Sequence, residues 1–117
     1  MHTIHSTSIN INNRETPIRS RMIRNAGTVV RTEAGTTGLS GYCCRKKGSR
    51  TFLSLRFDRG DFHFMPILDR EGNIVGFSLA CCGDDGLLSV MDAIEFAGRT
   101  LLDQCREQEA EGGPDCA

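Results

Sequence analysis

The chain has no tryptophan and only one tyrosine in 117 residues. Large aromatic anchors are scarce, so a core must be assembled from scattered Leu, Ile, Val and Phe, and at 38% hydrophobic residues it should be modest. No apolar run approaches the roughly 20 residues that a membrane-spanning helix needs. The stretch Met1-His2-Thr3-Ile4-His5 has neither the basic n-region nor the apolar h-region of an export signal. A cytoplasmic location is therefore expected, with the six cysteines as reduced thiols that serve mainly as small core residues. A catalytic pattern is also missing. His2 and His5 lie in a polar stretch, His63 alternates with Phe62 and Phe64, and spacing alone places no Cys–His or His–carboxylate pair. Neither an enzyme nor a cofactor is expected.

What the chain does have is a charge asymmetry concealed by its net charge of −1. Residues 1–60 carry eleven Arg or Lys against three acidic residues, whereas residues 61–117 carry three against twelve. Such a division suggests a basic face for a polyanion and an acidic face elsewhere, or two surfaces that attract each other between copies. Neutralisation of the halves within one fold is the simpler alternative.

The length fits one domain. Residues 1–26 are rich in Ser, Thr, Asn and Arg, with isolated isoleucines and no sustained period, and read as a flexible polar and basic arm with at most a short added strand at Ser8–Ile11. Gly27–Thr32 reads as an edge strand and Glu33–Gly38 as a loop. Leu39–Arg45, Arg50–Asp58, Phe62–Leu68 and Ile74–Cys82 read as successive strands, with turns at 46–49, 58–61 and 69–73, and Pro66 marks an edge or bulge. A helix capped by Asp84 or Asp85 follows, with Leu87, Met91, Ile94, Leu101 and Cys105 at helical spacing, joined by Val90, Ala97 and Leu102, as the stripe that packs on the sheet. The expected fold is α+β: a four- to five-stranded antiparallel meander packed by one C-terminal helix in two layers. This ββββα-type domain spans residues 27–108, followed by a disordered acidic tail over 109–117.

Two clusters invite a metal. Cys43-Cys44 and Cys81-Cys82 supply four thiols, but adjacent strand residues point to opposite faces, and in a meander the pairs lie on the order of 20 Å apart. Asp58, Asp61, Asp84 and Asp85 should gather at one sheet end, as a Mg²⁺-dependent nuclease would need, yet turn and cap preferences account for all four. No metal site is expected.

The stronger signal is basic residues interleaved with aromatics. Arg50, Phe52, Ser54 and Arg56 share one strand face, Arg45, Lys46 and Lys47 flank it, and Tyr42, His63 and Phe64 come from neighbouring strands. Cations and flat rings on a sheet suit single-stranded nucleic acid, whose phosphates pair with Arg or Lys and whose bases stack. The alternative is a solvated sheet face.

Over residues 50–104, a strand ending in Asp58-Arg59-Gly60-Asp61-Phe62, further strands and a long helix resemble a PUR-type repeat. In its order of four strands and a helix the segment is similar to the wider Whirly-like group, which includes single-strand-binding transcriptional coactivators. The resemblance implies a homodimer and a binding sheet lined by Arg50, Phe52, Arg56, Arg59 and Phe62.

The functional expectation is a non-enzymatic module for single-stranded DNA or RNA, with Arg45, Lys46, Lys47, Arg50, Phe52, Arg56, Arg59 and Phe64 as binding residues. The competing expectation is a small protein–protein interaction module, an inhibitor or adaptor of a nucleoprotein complex. A C2 homodimer is expected through small residues Ala93, Ala97 and Gly98 on the helix flank, with Phe96 off the apolar stripe.

Overall fold

Asn12 and Asn13 both take positive φ, 48° and 67°, the two-residue hairpin geometry that follows the natural twist of paired strands. They join strand β1 (Ile4–Ile11) to β2 (Arg14–Asn25), which pair antiparallel from Ile4↔Arg21 to Ile11↔Arg14. Ala26, at φ 52°, and Gly27 make the next tight turn into β3 (Thr28–Thr36). The remaining elements are β4 (Thr51–Arg59), β5 (Phe62–Leu68), β6 (Ile74–Cys81) and helix α1 (Asp84–Ala110). The computed structural model describes residues 3–39 and 48–110.

The architecture is α+β and antiparallel throughout, with one C-terminal helix. Two expectations are corrected. First, residues 1–26 are no arm: they supply two strands of the four-stranded sheet β1-β2-β3-β4, and Thr16, Ile18, Ser20 and Ile23 are buried. β3, expected at an edge, lies between β2 and β4 and continues through the supposed loop to Thr36. Second, the expected four-stranded antiparallel meander is present but is built from β1 to β4, and β5 and β6 stand outside it. Gly60, at φ 133°, turns the chain out of the sheet, and β5 pairs only with β6, in a separate two-stranded ribbon. A side chain at position 60 would collide with Thr28 and the Phe62 ring, so the corner needs glycine. The expected turn at 69–73 is present: the Asp69 amide donates to the Asn73 carbonyl, and Gly72 sits at φ 88°. Pro66 lies in the ribbon, where both strands are edges. The expected strand Leu39–Arg45 falls outside the described residues apart from Leu39, which is not in a strand.

The helix packs on β3 and β2, rotated by about a third of a turn from the expected stripe, of which Ala97 is buried. The stripe Leu87, Met91 and Ile94 is exposed, whereas Ser89, Ala93, Phe96, Ala97, Thr100 and Gln104 are buried. Ala93 and Ala97 therefore face the chain's own sheet and are not free for a second backbone. Small side chains let the helix approach closely, and its polar ones pair across the gap. Thr28 and Ser89 share a hydroxyl hydrogen bond, Asn25 Nδ2 donates to Ser89 Oγ at 2.9 Å, and the Thr36 amide donates to Gln104 Oε1 at 2.8 Å. Gln104 Nε2 in turn donates to the Pro17 carbonyl at 3.2 Å. Ile23, Val30 and Ala93 form the core cluster, with Leu55, Phe57 and Phe62 packed against it.

Candidate nucleic-acid interface

The contacts of the helix assign the two faces of the sheet. Ile23, Val30, Thr28 and Asn25 meet the helix. By register, Ala34, Leu53, Leu55 and Phe57 share that side. The residues between them point to the opposite face, which the helix does not cover. There the pairing aligns Met22↔Arg31↔Arg56 in one row and Arg24↔Val29↔Arg59 in the next. The second row exists because the register shifts between Val29 and Val30, a bulge that turns Arg59 onto the open face. Four arginines from three strands thus meet at one end of the sheet, and all four are exposed. Phe52, opposite Gly35, and Ser54, opposite Glu33, continue the face.

Charge on this face is only partly compensated. Asp58 accepts from Arg56 Nε at 2.6 Å, and Glu33 is half-buried two residues from Arg31. Toward the other end the face closes over Ile18, which is 1% exposed. An added Cβ at Gly35 would lie 2.7 Å from Ile18 Cδ1, so glycine is what lets that side chain lie across β3.

The structure brings Phe52, Arg56 and Arg59 to one face. Arg50 is engaged otherwise: its Nε donates to the Ile11 carbonyl at 3.0 Å and its Nη2 to the Asn12 carbonyl at 3.3 Å, which ties the start of β4 to the β1–β2 turn. Arg14 Nη1 reaches the Gly48 carbonyl beside it at 3.2 Å. Phe64 lies on the helix side, its ring 5.0 Å from that of Phe57, and cannot join Phe52. Phe62 packs against the core, 4.4 Å from Phe57. Arg45, Lys46 and Lys47, with Tyr42, Cys43 and Cys44, lie outside the described residues. The reading from sequence missed Arg24 because it took β2 for an arm, and missed Arg31 because it placed Gly27–Thr32 at an edge without its pairing to β4. Asn12-Asn13 was the signal that could have revealed the hairpin, since asparagine tolerates the left-handed turn.

Of the four aspartates expected to gather, three are engaged separately. Asp58 holds Arg56, and Asp85 accepts from the Gly27 amide at 3.1 Å. Asp61 Oδ1 lies 2.7 Å from His63 Nε2. Cys82 hydrogen-bonds to the same carboxylate, which raises its thiol pKa above the ordinary value, first through the hydrogen bond and then through the charge. Asp61, His63 and Cys82 are the group among the described residues with metal-ligating chemistry, and all three are exposed. The ribbon register aligns them, since Phe62↔Cys81 and His63↔Ala80 put positions 61, 63 and 82 on one side. A concavity of about 340 Å³ lies between α1 and the β1 side of the sheet. There Arg21 sits 5.9 Å from the Phe96 ring centroid and Arg19 pairs with Glu107 at 2.8 Å.

No protein-family model, curated protein or solved structure matches the chain. Among the described residues, no helix is long and apolar enough to cross a membrane.

Proposed function

We propose that the chain is a non-enzymatic binding module, a cytoplasmic homodimer that holds single-stranded DNA or RNA on the sheet face opposite the helix. One observation carries this reading: Arg24, Arg31, Arg56 and Arg59 stand in two adjacent rows, with Met22 and Phe52 on the same face. Guanidinium groups pair phosphates in forked geometry, and a flat ring accepts a stacked base. Free thiols at Cys81, Cys82 and Cys105 suit a reducing compartment.

The test is anisotropy of a labelled single strand at two salt concentrations. Were all four arginines to meet phosphates, at roughly 0.7 counterion released per contact, affinity would fall about fifty-fold between 50 and 200 mM salt. Arg31→Glu and Arg56→Glu should each weaken binding further at low salt. Failure to bind at low salt, or binding indifferent to salt, overturns the reading.

A second reading, a protein–protein interaction module, is favoured by the number of large apolar side chains left in solvent, Ile74, Phe77 and Ile94 among them. Pull-down after nuclease treatment separates the two, since a protein-only partner retained there supports the second.

A further inference from the structure

At its base the ribbon is joined to the rest of the chain by two glycine corners, Gly60 at φ 133° and Gly83 at φ 93°. Asp61 and Cys82 are the residues just inside those corners, and the Cys82 amide donates to the Asp61 carbonyl at 3.2 Å. They are cross-strand partners one step beyond Phe62↔Cys81. Opposed residues on paired strands send their side chains to the same side, as do residues two apart on one strand. His63 therefore stands beside the Asp61–Cys82 pair, and its own cross-strand neighbour is the short Ala80. The intervening residues point the other way, Phe62 against the core and Cys81 beside Gly86 of the helix.

Three donor atoms thus converge, a carboxylate oxygen of Asp61, Nε2 of His63 and Sγ of Cys82, all within 4.8 Å of one another. His63 Nε2 is 2.7 Å from Asp61 Oδ1, and Cys82 hydrogen-bonds to the same carboxylate. Zinc bonds run about 2.0 Å to nitrogen and oxygen and about 2.3 Å to sulfur, so tetrahedral neighbours stand roughly 3.3–3.6 Å apart. The spacings here bracket that range. All three side chains are exposed, and the small rotations that would equalise them displace nothing in the core. Turn preference explains an aspartate at 61, but not a histidine and a cysteine aligned with it.

The donor set also selects the cation. Imidazole, thiolate and carboxylate are each zinc ligands, whereas magnesium and calcium take shells of oxygen. One thiolate and one carboxylate supply two negative charges beside a neutral imidazole, which balances a divalent ion. The proton that Cys82 now shares with Asp61 is the one the metal replaces, and it passes to solvent.

The geometry points to a zinc site at the base of the ribbon, with Asp61, His63 and Cys82 as its three protein ligands and water in the fourth position. It uses none of the four arginines of the open face and is independent of nucleic-acid binding. Because positions 61 and 82 enclose β5 and β6, the ion ties together the two ends of the ribbon where they leave the body. It thereby stabilises an element that two strands alone leave marginal.

Cobalt(II) substitutes for zinc and reports its ligands, so titration of the full chain, reduced and freed of metal, is the test. The expected result is a thiolate-to-cobalt charge-transfer band with tetrahedral visible bands, saturating at one equivalent and abolished by Zn²⁺. Cys82→Ser should remove the charge-transfer band with unchanged far-UV dichroism. His63→Ala and Asp61→Asn should each weaken zinc binding more than about tenfold, the least that loss of even an outer-shell partner costs. No saturable uptake at tens of micromolar metal overturns the site. A charge-transfer band that survives Cys82→Ser gives the metal to other thiols of the chain and equally overturns it, as does unchanged affinity in His63→Ala. A second measurement on the wild-type chain covers the case in which a substitution prevents folding. In NMR spectra one equivalent of Zn²⁺ should shift the His63 ring resonances and leave those of His2 and His5 in place. A stationary His63, or equal movement of all three histidines, marks adventitious binding and refutes the assignment.

Discussion

The helix-covered sheet and the β5–β6 ribbon are built from similar residues but stand in opposite relation to solvent. In the body, Ile18, Ile23, Val30 and Ala93 are at most 1% exposed, and even the threonines at 16 and 32 are at 0%. In the ribbon, Ile67, Ile74, Val75 and Phe77 are between 47% and 73% exposed. The body places polar side chains inside and pairs several of them, as in the Thr28–Ser89 and Gln104 bonds, with Thr32 Oγ1 left without a hydrogen-bond partner, whereas the ribbon places apolar side chains outside and leaves them unburied. The contrast teaches that folding of one chain buries the apolar side chains of the body and leaves those of the ribbon in solvent.

The comparison breaks most visibly under a buried charge. Ala93→Glu puts an unpaired carboxylate between Ile23 and Val30 and is expected to cost more than about 4 kcal/mol, enough to unfold a domain of this size. Ile74→Glu, at the far end of the ribbon, is expected to change stability by no more than about 0.5 kcal/mol. Urea denaturation followed by circular dichroism measures both, and equal losses would erase the distinction between the regions.

A smaller contrast comes from two glycines. Gly35→Ala drives a methyl against Ile18 and the β2 backbone, with an expected loss of roughly 1–3 kcal/mol. Gly76→Ala in the ribbon meets only Ile67 Cδ1 at 3.6 Å, an ordinary contact, and should fall within about 0.5 kcal/mol of wild type. A thermal-melt comparison decides it. Polar pairing inside the body is tested by Gln104→Ala, which leaves the Thr36 amide and the Pro17 carbonyl without this partner. The expected cost is about 1–3 kcal/mol. Glu95→Ala removes an exposed pair at 4.0 Å and should cost almost nothing.

Legibility in the sequence divides along the same line. β4, β5 and β6 and the start of the helix are readable because alternation, glycine turns and an acidic cap mark them locally. The PUR-like order of strands suggested a single sheet, but the corner at Gly60 fits closely against Thr28 and Phe62, and the bulge at Val29–Val30 is a matter of pairing register, neither of which a local pattern announces. β1 and β2 were hidden because their buried positions include Thr16 and Ser20, residues that composition counts as polar. The helix was placed correctly but rotated wrongly, since its most apolar stripe is not the one that meets its own sheet. Of the candidate site, Phe52, Arg56 and Arg59 were legible on β4. Arg24 was not, because β2 was not recognised as a strand, and Arg31 was not, because its row with Arg56 requires the register between β3 and β4.

The finest distinction between body and ribbon is one of pH. The ribbon's closing turn is held by Asp69, whose carboxylate accepts from the amides of Asn73 and Glu71, each at 2.9 Å. The Asn73 backbone bond is the largest cause that lowers its pKa below the ordinary 3.8. A carboxyl whose folded pKa is depressed stabilises the folded turn above its unfolded pKa and loses that contribution as pH falls through the folded value. The turn should therefore hold from neutral pH down to about 4 and loosen below it. Following amide chemical shifts through an acid titration tests this. Asn73 and Glu71 should move together with a midpoint below 3.8, ahead of Val30 and Thr32 in β3. A midpoint at or above the ordinary carboxylate value, or simultaneous movement of ribbon and body, would show that the turn is not held independently by Asp69.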